Sequence, residues 1–255
     1  MISLHLHNKN KNLFTLCEDS LTSSVFDLLK YLPDYLFYEI LKNSLFHRKI
    51  LEENFIIETI SYWNKWDALN TTNTTYVEPD VFVRTDKFDL IIEAKRYDYN
   101  QQSETQLRNE VIAYLNEYGS ENKKIYFLQV GGIYGTDDIP DLQIYHNGNK
   151  KIVILITNWS RILDAVLHSR EKLFQLNSVS NNYLIRILDD LVDVFAYHQF
   201  FSVVWLKNIK ERRVFSETFP KLHFTRKPNV LWLQYLKESN INNKWSKDFF
   251  EYVRN

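Results

Sequence analysis

Cysteine is nearly absent from this sequence: Cys17 is the single thiol in 255 residues. An intramolecular disulfide is therefore excluded, and so is a zinc centre built on a cysteine cluster. A reducing, cytoplasmic setting suits such a chain, and Cys17 is expected as a buried structural thiol rather than a nucleophile. Glycine and proline number five each, which leaves no flexible linker and no low-complexity tract. Gly131-Gly132 is too short to cradle a phosphate, which argues against a small-molecule phosphohydrolase. No apolar run approaches the ~20 residues of a membrane span, and the first dozen residues lack the apolar core of a signal peptide. Charge of one sign is also lacking: 31 Lys and Arg face 32 Asp and Glu, for a net charge of -1. Nucleic-acid binders commonly carry a basic footprint, so any attraction for phosphate must come from local clusters. Lys207 to Arg213 is the densest; Arg226-Lys227 and Arg48-Lys49 are smaller, and each also reads as an ordinary solvated helix end.

What is abundant is apolar material. Hydrophobic residues make up 45% of the chain and aromatics 15%, enough for one large domain or a domain with an extension. Val77 to Arg84 is rich in β-branched and aromatic residues and reads as a strand, with Pro79 near its start where a missing N–H does least harm. Thr85-Asp86-Lys87 reads as a turn, and Phe88 to Lys95 as the partner strand. Side chains alternate along a strand, so Glu93 and Lys95 share one face while Ile92 and Ala94 take the other. Asp80, early on the first strand, can face that pair. Two convergent carboxylates suit a hard divalent cation, and a neighbouring ammonium can hold a water or offset negative charge developing on a phosphoryl group. The bland alternative is a simple surface charge pair beside an Asp in ordinary turn chemistry.

After a polar loop, the apolar positions Leu107, Val111, Tyr114, Leu115 and Tyr118 follow a helical period from Ser103 to Tyr118, and Gly119 supplies a stop. Ser103 and Gln106 match a capping box, but Gln106 also lies where it can turn toward Lys95, and both roles stay open. Lys124 to Val130 reads as a further strand, Lys151 to Thr157 as a buried one, and Trp159 to Arg170 as an amphipathic helix. Upstream, Thr22 to Phe46 is helical in pattern with a break at Pro33, and Phe55 to Trp63 is a candidate first strand. The order predicts an α/β fold, with a mixed central sheet flanked by helices. From Asn177 the pattern turns helical, with a long helix expected over Asn182 to Asn208. His198 on it is expected as a packed or hydrogen-bonded ring. Trp232, Trp245 and Phe249-Phe250 lie further on. His5 and His7 share a face but lack a third ligand.

The segments Glu78-Pro79-Asp80 and Ile92-Glu93-Ala94-Lys95, with the helix that carries Gln106, resemble the core of the PD-(D/E)xK nuclease superfamily. Glu18-Asp19-Ser20-Leu21 and Leu155-Ile156-Thr157-Asn158-Trp159 resemble flanking elements of one of its subgroups. The likeness spans residues 13 to 170. It implies a restriction-endonuclease-like nuclease core over residues 1–175 and a mainly helical extension over 176–255, packed on the core or binding a partner. It implies Asp80, Glu93 and the Ala94 carbonyl as ligands of Mg2+ or Mn2+, Lys95 as the group that orients or activates water, Gln106 as support, and Glu18 as an additional acid. Glu39, Glu53 and Glu58 are rivals of Glu18 for that place. The implied activity is metal-dependent hydrolysis of DNA phosphodiester bonds, in a bacterial defence or mobile-element setting. The alternative is an interaction module that keeps the nuclease fold but acts through a protein partner, or as a homodimer, by way of its aromatic C-terminal region.

Overall fold

The computed structural model describes residues 16–47, 49, 52–98, 101–133, 139–145, 149–176 and 181–202. The chain divides into two compact units, Met1–Val203 and Val204–Asn255, and every described residue belongs to the first. The clusters at 207–213 and 226–227, the aromatics Trp232, Trp245, Phe249 and Phe250, and His5, His7 and Arg48 lie outside the described residues.

The first unit is α/β, as the element order predicts. Helices α1 (Glu18–Leu29) and α2 (Asp34–Ser44) lead into strands β1 (Ile57–Tyr62), β2 (Trp66–Asp67), β3 (Tyr76–Val77), β4 (Val81–Thr85) and β5 (Phe88–Ala94). Helix α3 (Glu104–Tyr118), strands β6 (Lys124–Val130), β7 (Leu142–Tyr145) and β8 (Asn149–Thr157), and helices α4 (Trp159–Gln175) and α5 (Asn182–Tyr197) follow. Six strands form one sheet in the order β1-β4-β5-β6-β8-β7, while β2 and β3 pair separately. The β5-β6 and β6-β8 pairs are parallel; the others are antiparallel.

Strand alternation sorts the apolar side chains into two layers. Val81, Val83, Leu90, Ile92, Tyr126 and Leu128 pack under α1, α2, α4 and α5. Phe82, Ile91, Ile125, Phe127 and Ile154 pack under α3. Every residue of β5 is buried, as expected of a strand covered on both faces. The β4–β5 hairpin is closed by Thr85. Its hydroxyl accepts from the Phe88 N–H at 2.9 Å and donates to the Phe88 carbonyl at 2.7 Å, which sets the register that pairs Val81 with Ile92.

Three elements differ from the sequence expectation. The strand expected over Val77 to Arg84 is two strands, because Pro79 cannot donate to a ladder and the chain changes sheets there. The helix expected to run on to Asn208 ends at Tyr197: Gln199 takes a left-handed φ of 69° and the described residues 199–202 that follow are not helical. Within it, Leu184, Leu188, Leu191, Val194 and Phe195 join the core beneath α1 and α4. Cys17 is exposed rather than buried. It stands just before α1, where its N–H donates to the Ser20 hydroxyl at 3.1 Å.

Candidate active site

The carboxyl end of β5 is where the charged residues gather. Such ends open into a crevice in α/β sheets, because the connections diverge there. Extending the Val81–Ile92 pairing by one residue sets Asp80 across from Glu93. Asp80 accepts the Ala94 N–H at 2.8 Å, which fixes its carboxylate beside the strand end.

Glu93 is the hub. It is 2% exposed, and its Oε1 accepts from Lys95 Nζ at 2.5 Å and from Gln106 Nε2 at 2.7 Å. Lys95 also lies 3.3 Å from Glu18 Oε1, and the second Glu18 oxygen accepts the Arg96 N–H at 2.9 Å. Asp80, Glu93, Lys95, Gln106 and Glu18 thus converge from four separate segments. Glu18, the first residue of α1, is well placed against the helix dipole as well. The three rival acids lie elsewhere: Glu39 pairs with Lys172, Glu53 with Lys42 and Glu58 with Lys123. Gln106 resolves the capping question. Its N–H donates to the Ser103 hydroxyl, but its side chain goes to Glu93 and not back to Ser103.

The backbone beneath Lys95 is held on several sides. The Lys95 N–H donates to the Val130 carbonyl at 2.7 Å, and the Lys95 carbonyl accepts from Trp159 Nε1 at 2.9 Å. Gly131 adopts φ +68°, and a Cβ there would lie 2.2 Å from the Lys95 carbonyl oxygen, so only glycine fits. Arg96 donates to the His198 carbonyl at 2.8 Å, tying the loop to the end of α5. His198 is 2% exposed; burial first, and the Arg96 charge second, push its pKa down to about 4. It is a packed, neutral ring.

One residue that the sequence pattern hides belongs to the site. Glu110 follows Gln106 by one helical turn and so shares its face, yet it reads as an ordinary polar-face residue of α3. It is 1% exposed and neither carboxyl oxygen makes a hydrogen bond of normal geometry. Burial, then the nearby Glu93 charge, raises its pKa well above the ordinary 4.5. Gln102 is the other addition. Its amide donates to the Gly131 carbonyl at 3.1 Å and the Glu93 carbonyl at 3.4 Å, bracing the strand end.

The electrostatics are those of crowded acids. Burial, then Glu93, raises Asp80 from 3.8 to about 7. Burial works against the charge of Lys95, but Glu93, and after it Glu18 and Asp80, outweigh that and hold its pKa above the ordinary 10.5. Lys95 is therefore an ammonium at neutral pH, suited to donating hydrogen bonds and unsuited to accepting a proton. Among the described residues, no group of three or more His, Cys, Asp or Glu is disposed to hold a metal ion. Asp80 and Glu93 with the Ala94 carbonyl make a different donor set, two carboxylates and one backbone oxygen. Its hard oxygens, and the burial and repulsion from Glu93 that lift Asp80, fit a divalent cation such as Mg2+.

No family model matches the chain. A half-complex of Thermococcus gammatolerans McrB AAA+ hexamers with bound McrC overlaps it in part, at a TM-score of 0.25 and 14% identity. That overlap covers 40% of this chain and 24% of the other, so the chain spans about a quarter of that neighbour's length. Among the described residues, no helix is long and apolar enough to cross a membrane. The uncharacterized protein PM0110 of Pasteurella multocida is 31% identical over 242 residues, which cover 88% of this chain and 85% of the relative, and the chain belongs to the same family as that protein.

Proposed function

We propose that this protein is a metal-dependent nuclease that hydrolyses DNA phosphodiester bonds, with a restriction-endonuclease-like core of the PD-(D/E)xK type. The observation that carries the reading is the convergence on Glu93. An ammonium and a side-chain amide bond the same carboxylate oxygen, and a second carboxylate stands across the hairpin. The residue order, Asp80 then Glu93-Ala94-Lys95 then Gln106, is the order on which the family resemblance rests.

Asp80, Glu93 and the Ala94 carbonyl would hold Mg2+ or Mn2+, which supplies Lewis-acid polarisation of a phosphoryl oxygen and lowers the pKa of water. The chain's own groups do the rest. Lys95 donates hydrogen bonds to the attacking water and offsets negative charge gathering at phosphorus, an electrostatic role that its raised pKa protects. Gln106 fixes the Glu93 rotamer from the first turn of α3. Glu18 steers the Lys95 side chain from the opposite side. Glu110, buried one turn after Gln106 and with its pKa held well above the ordinary range by burial and then by Glu93, backs Glu93 from α3. The choice of DNA over RNA rests on family likeness alone.

The test is cleavage of linear DNA by the full chain in Mg2+, in Mn2+ and in chelator, beside Glu93→Gln. Metal-dependent cleavage that Glu93→Gln lacks supports the reading. Cleavage that persists in chelator, or in Glu93→Gln, overturns it.

A further inference from the structure

Five described residues other than glycine adopt positive φ, and three of them are asparagines, which tolerate it. Trp63, at φ 49°, is the one bulky ring in that conformation. An L-residue with a large side chain takes this geometry only where its surroundings enforce it, and such positions gather at binding and catalytic sites. Here the enforcement is visible. The Trp63 N–H donates to the Pro79 carbonyl at 3.1 Å and lies 3.4 Å from the Asp80 carbonyl. The strained residue is therefore fastened to the backbone of the acid that faces Glu93.

The ring has somewhere to act. Trp63 lines an open cleft of about 470 Å3 together with Asp19, Glu78 and Asp80. It is only partly buried, and its ring lies 5.8 Å from that of Tyr62. The neighbouring strand pair adds a cation. Extending the Trp66–Val77 register by one residue puts Lys65 opposite Glu78. The Lys65 ammonium rests 4.6 Å above the Tyr76 ring, which is itself 41% exposed. The cleft itself is lined by carboxylates, and the lysine and exposed Tyr76 ring lie on the adjoining strand pair; ring faces on which bases stack, with a lysine nearby to meet phosphate, are the parts of a single-strand platform.

We infer that Trp63 is the stacking platform for an unpaired base next to the phosphate that a divalent cation on Asp80 and Glu93 would hold, so that the substrate is single-stranded or locally unpaired DNA. The inference rests on the nuclease reading for the phosphate, but its binding test is separate. A base inside a duplex offers no free face to the indole, whereas an unpaired one does.

The experiment measures binding of a fluorescein-labelled oligothymidylate, and of the same strand annealed to its complement, by fluorescence anisotropy in Ca2+ to hold off hydrolysis. Wild type is compared with Trp63→Ala, Trp63→Phe and Trp63→Gly, with thermal midpoints and Mg2+-dependent cleavage read in parallel. Wild type is expected to prefer the single strand. Trp63→Ala is expected to weaken that binding about 5- to 150-fold, the factor for loss of one base–aromatic stack, and Trp63→Phe to keep most of it. Trp63→Gly, which relieves the φ, is expected to lose binding without a lower thermal midpoint, an outcome that a purely structural tryptophan does not give. Equal binding by wild type and Trp63→Ala, with cleavage intact, removes the stacking role and leaves the nuclease reading standing. Loss of binding in Trp63→Ala, with no cleavage by wild type on any strand, keeps the platform and removes the hydrolysis. Equal wild-type affinity for duplex removes the unpaired-base claim, and no binding by wild type removes both.

Discussion

Asp80→Asn is expected to make the metal-free protein more stable while abolishing its cleavage. The Asp80 carboxyl titrates near 7 instead of 3.8, because it is buried and then because Glu93 stands beside it. A folded-state pKa raised this far means that the fold holds the proton more tightly than the unfolded chain does. The Asp80 contribution to stability is therefore fully present below about pH 4 and is lost progressively as pH rises toward 7. Over that window the cost approaches about 4 kcal/mol, at roughly 1.4 kcal/mol for each tenfold change in proton affinity. Relaxation and water entry reduce it, so a gain of about 2 kcal/mol for the neutral amide is the working figure. The amide introduced by Asp80→Asn can still accept the Ala94 N–H through its carbonyl and offer its NH2 to Glu93, so no new orphan arises. In a domain of this size about 2 kcal/mol corresponds to a rise of about 4–8 °C in the thermal midpoint. The assay is thermal unfolding of both proteins in chelator at pH 4, 5.5 and 7. The difference should be near zero at pH 4 and largest at pH 7. Added Mg2+ should raise the midpoint of the wild type and leave that of Asp80→Asn unmoved. A midpoint for Asp80→Asn at or below the wild type at pH 7 refutes the electrostatic account of the site.

Two further substitutions separate the roles of neighbouring residues, and a third tests the backbone beneath them. Gln106→Ala removes the 2.7 Å bond to Glu93 and should slow cleavage about 10- to 100-fold. Ser103→Ala removes the α3 cap and should cost about 1 kcal/mol of stability with cleavage unchanged; paired kinetics and denaturant unfolding read both. Gly131→Ala forces a Cβ against the Lys95 carbonyl at a positive φ. It should lower the thermal midpoint by at least about 4 °C, from about 1–2 kcal/mol of left-handed strain plus the clash, and cleavage should fall with it.

Much of this fold could be read from local pattern. Strand β6, Lys124–Val130, and helix α3 fall where a short apolar run and helical spacing put them; the strand is buried on both faces and the helix along its apolar side. The β4–β5 hairpin is equally legible, since Thr85 closes it with local bonds. Residue spacing also leads to Asp80, Glu93 and Lys95, because alternation along paired strands is enough to put them on one face. Glu110 was hidden because the helical pattern marks it as polar surface. What buries it is the lie of α3 over the end of β5, a tertiary fact, although its place one turn after Gln106 was a usable signal. Trp63 was hidden for another reason: its importance lies in φ, and a tryptophan carries no sequence mark of a left-handed residue as glycine does. Pro79 was legible as a residue that cannot join a ladder, but its consequence, a change of sheet between β3 and β4, depends on the β2 partner. Cys17 shows the limit of composition. Lone thiols are commonly buried, yet this one sits before a helix whose first turn faces the charged cleft.

The most direct test of the nuclease assignment is the rate of plasmid nicking by the full chain in Mg2+, measured side by side for wild type and Lys95→Ala. Lys95 supplies the ammonium of the site and touches both Glu93 and Glu18, so its removal should abolish nicking while Mg2+ still raises the thermal midpoint. Nicking by Lys95→Ala at the wild-type rate, or none by wild type in either Mg2+ or Mn2+, contradicts the assignment.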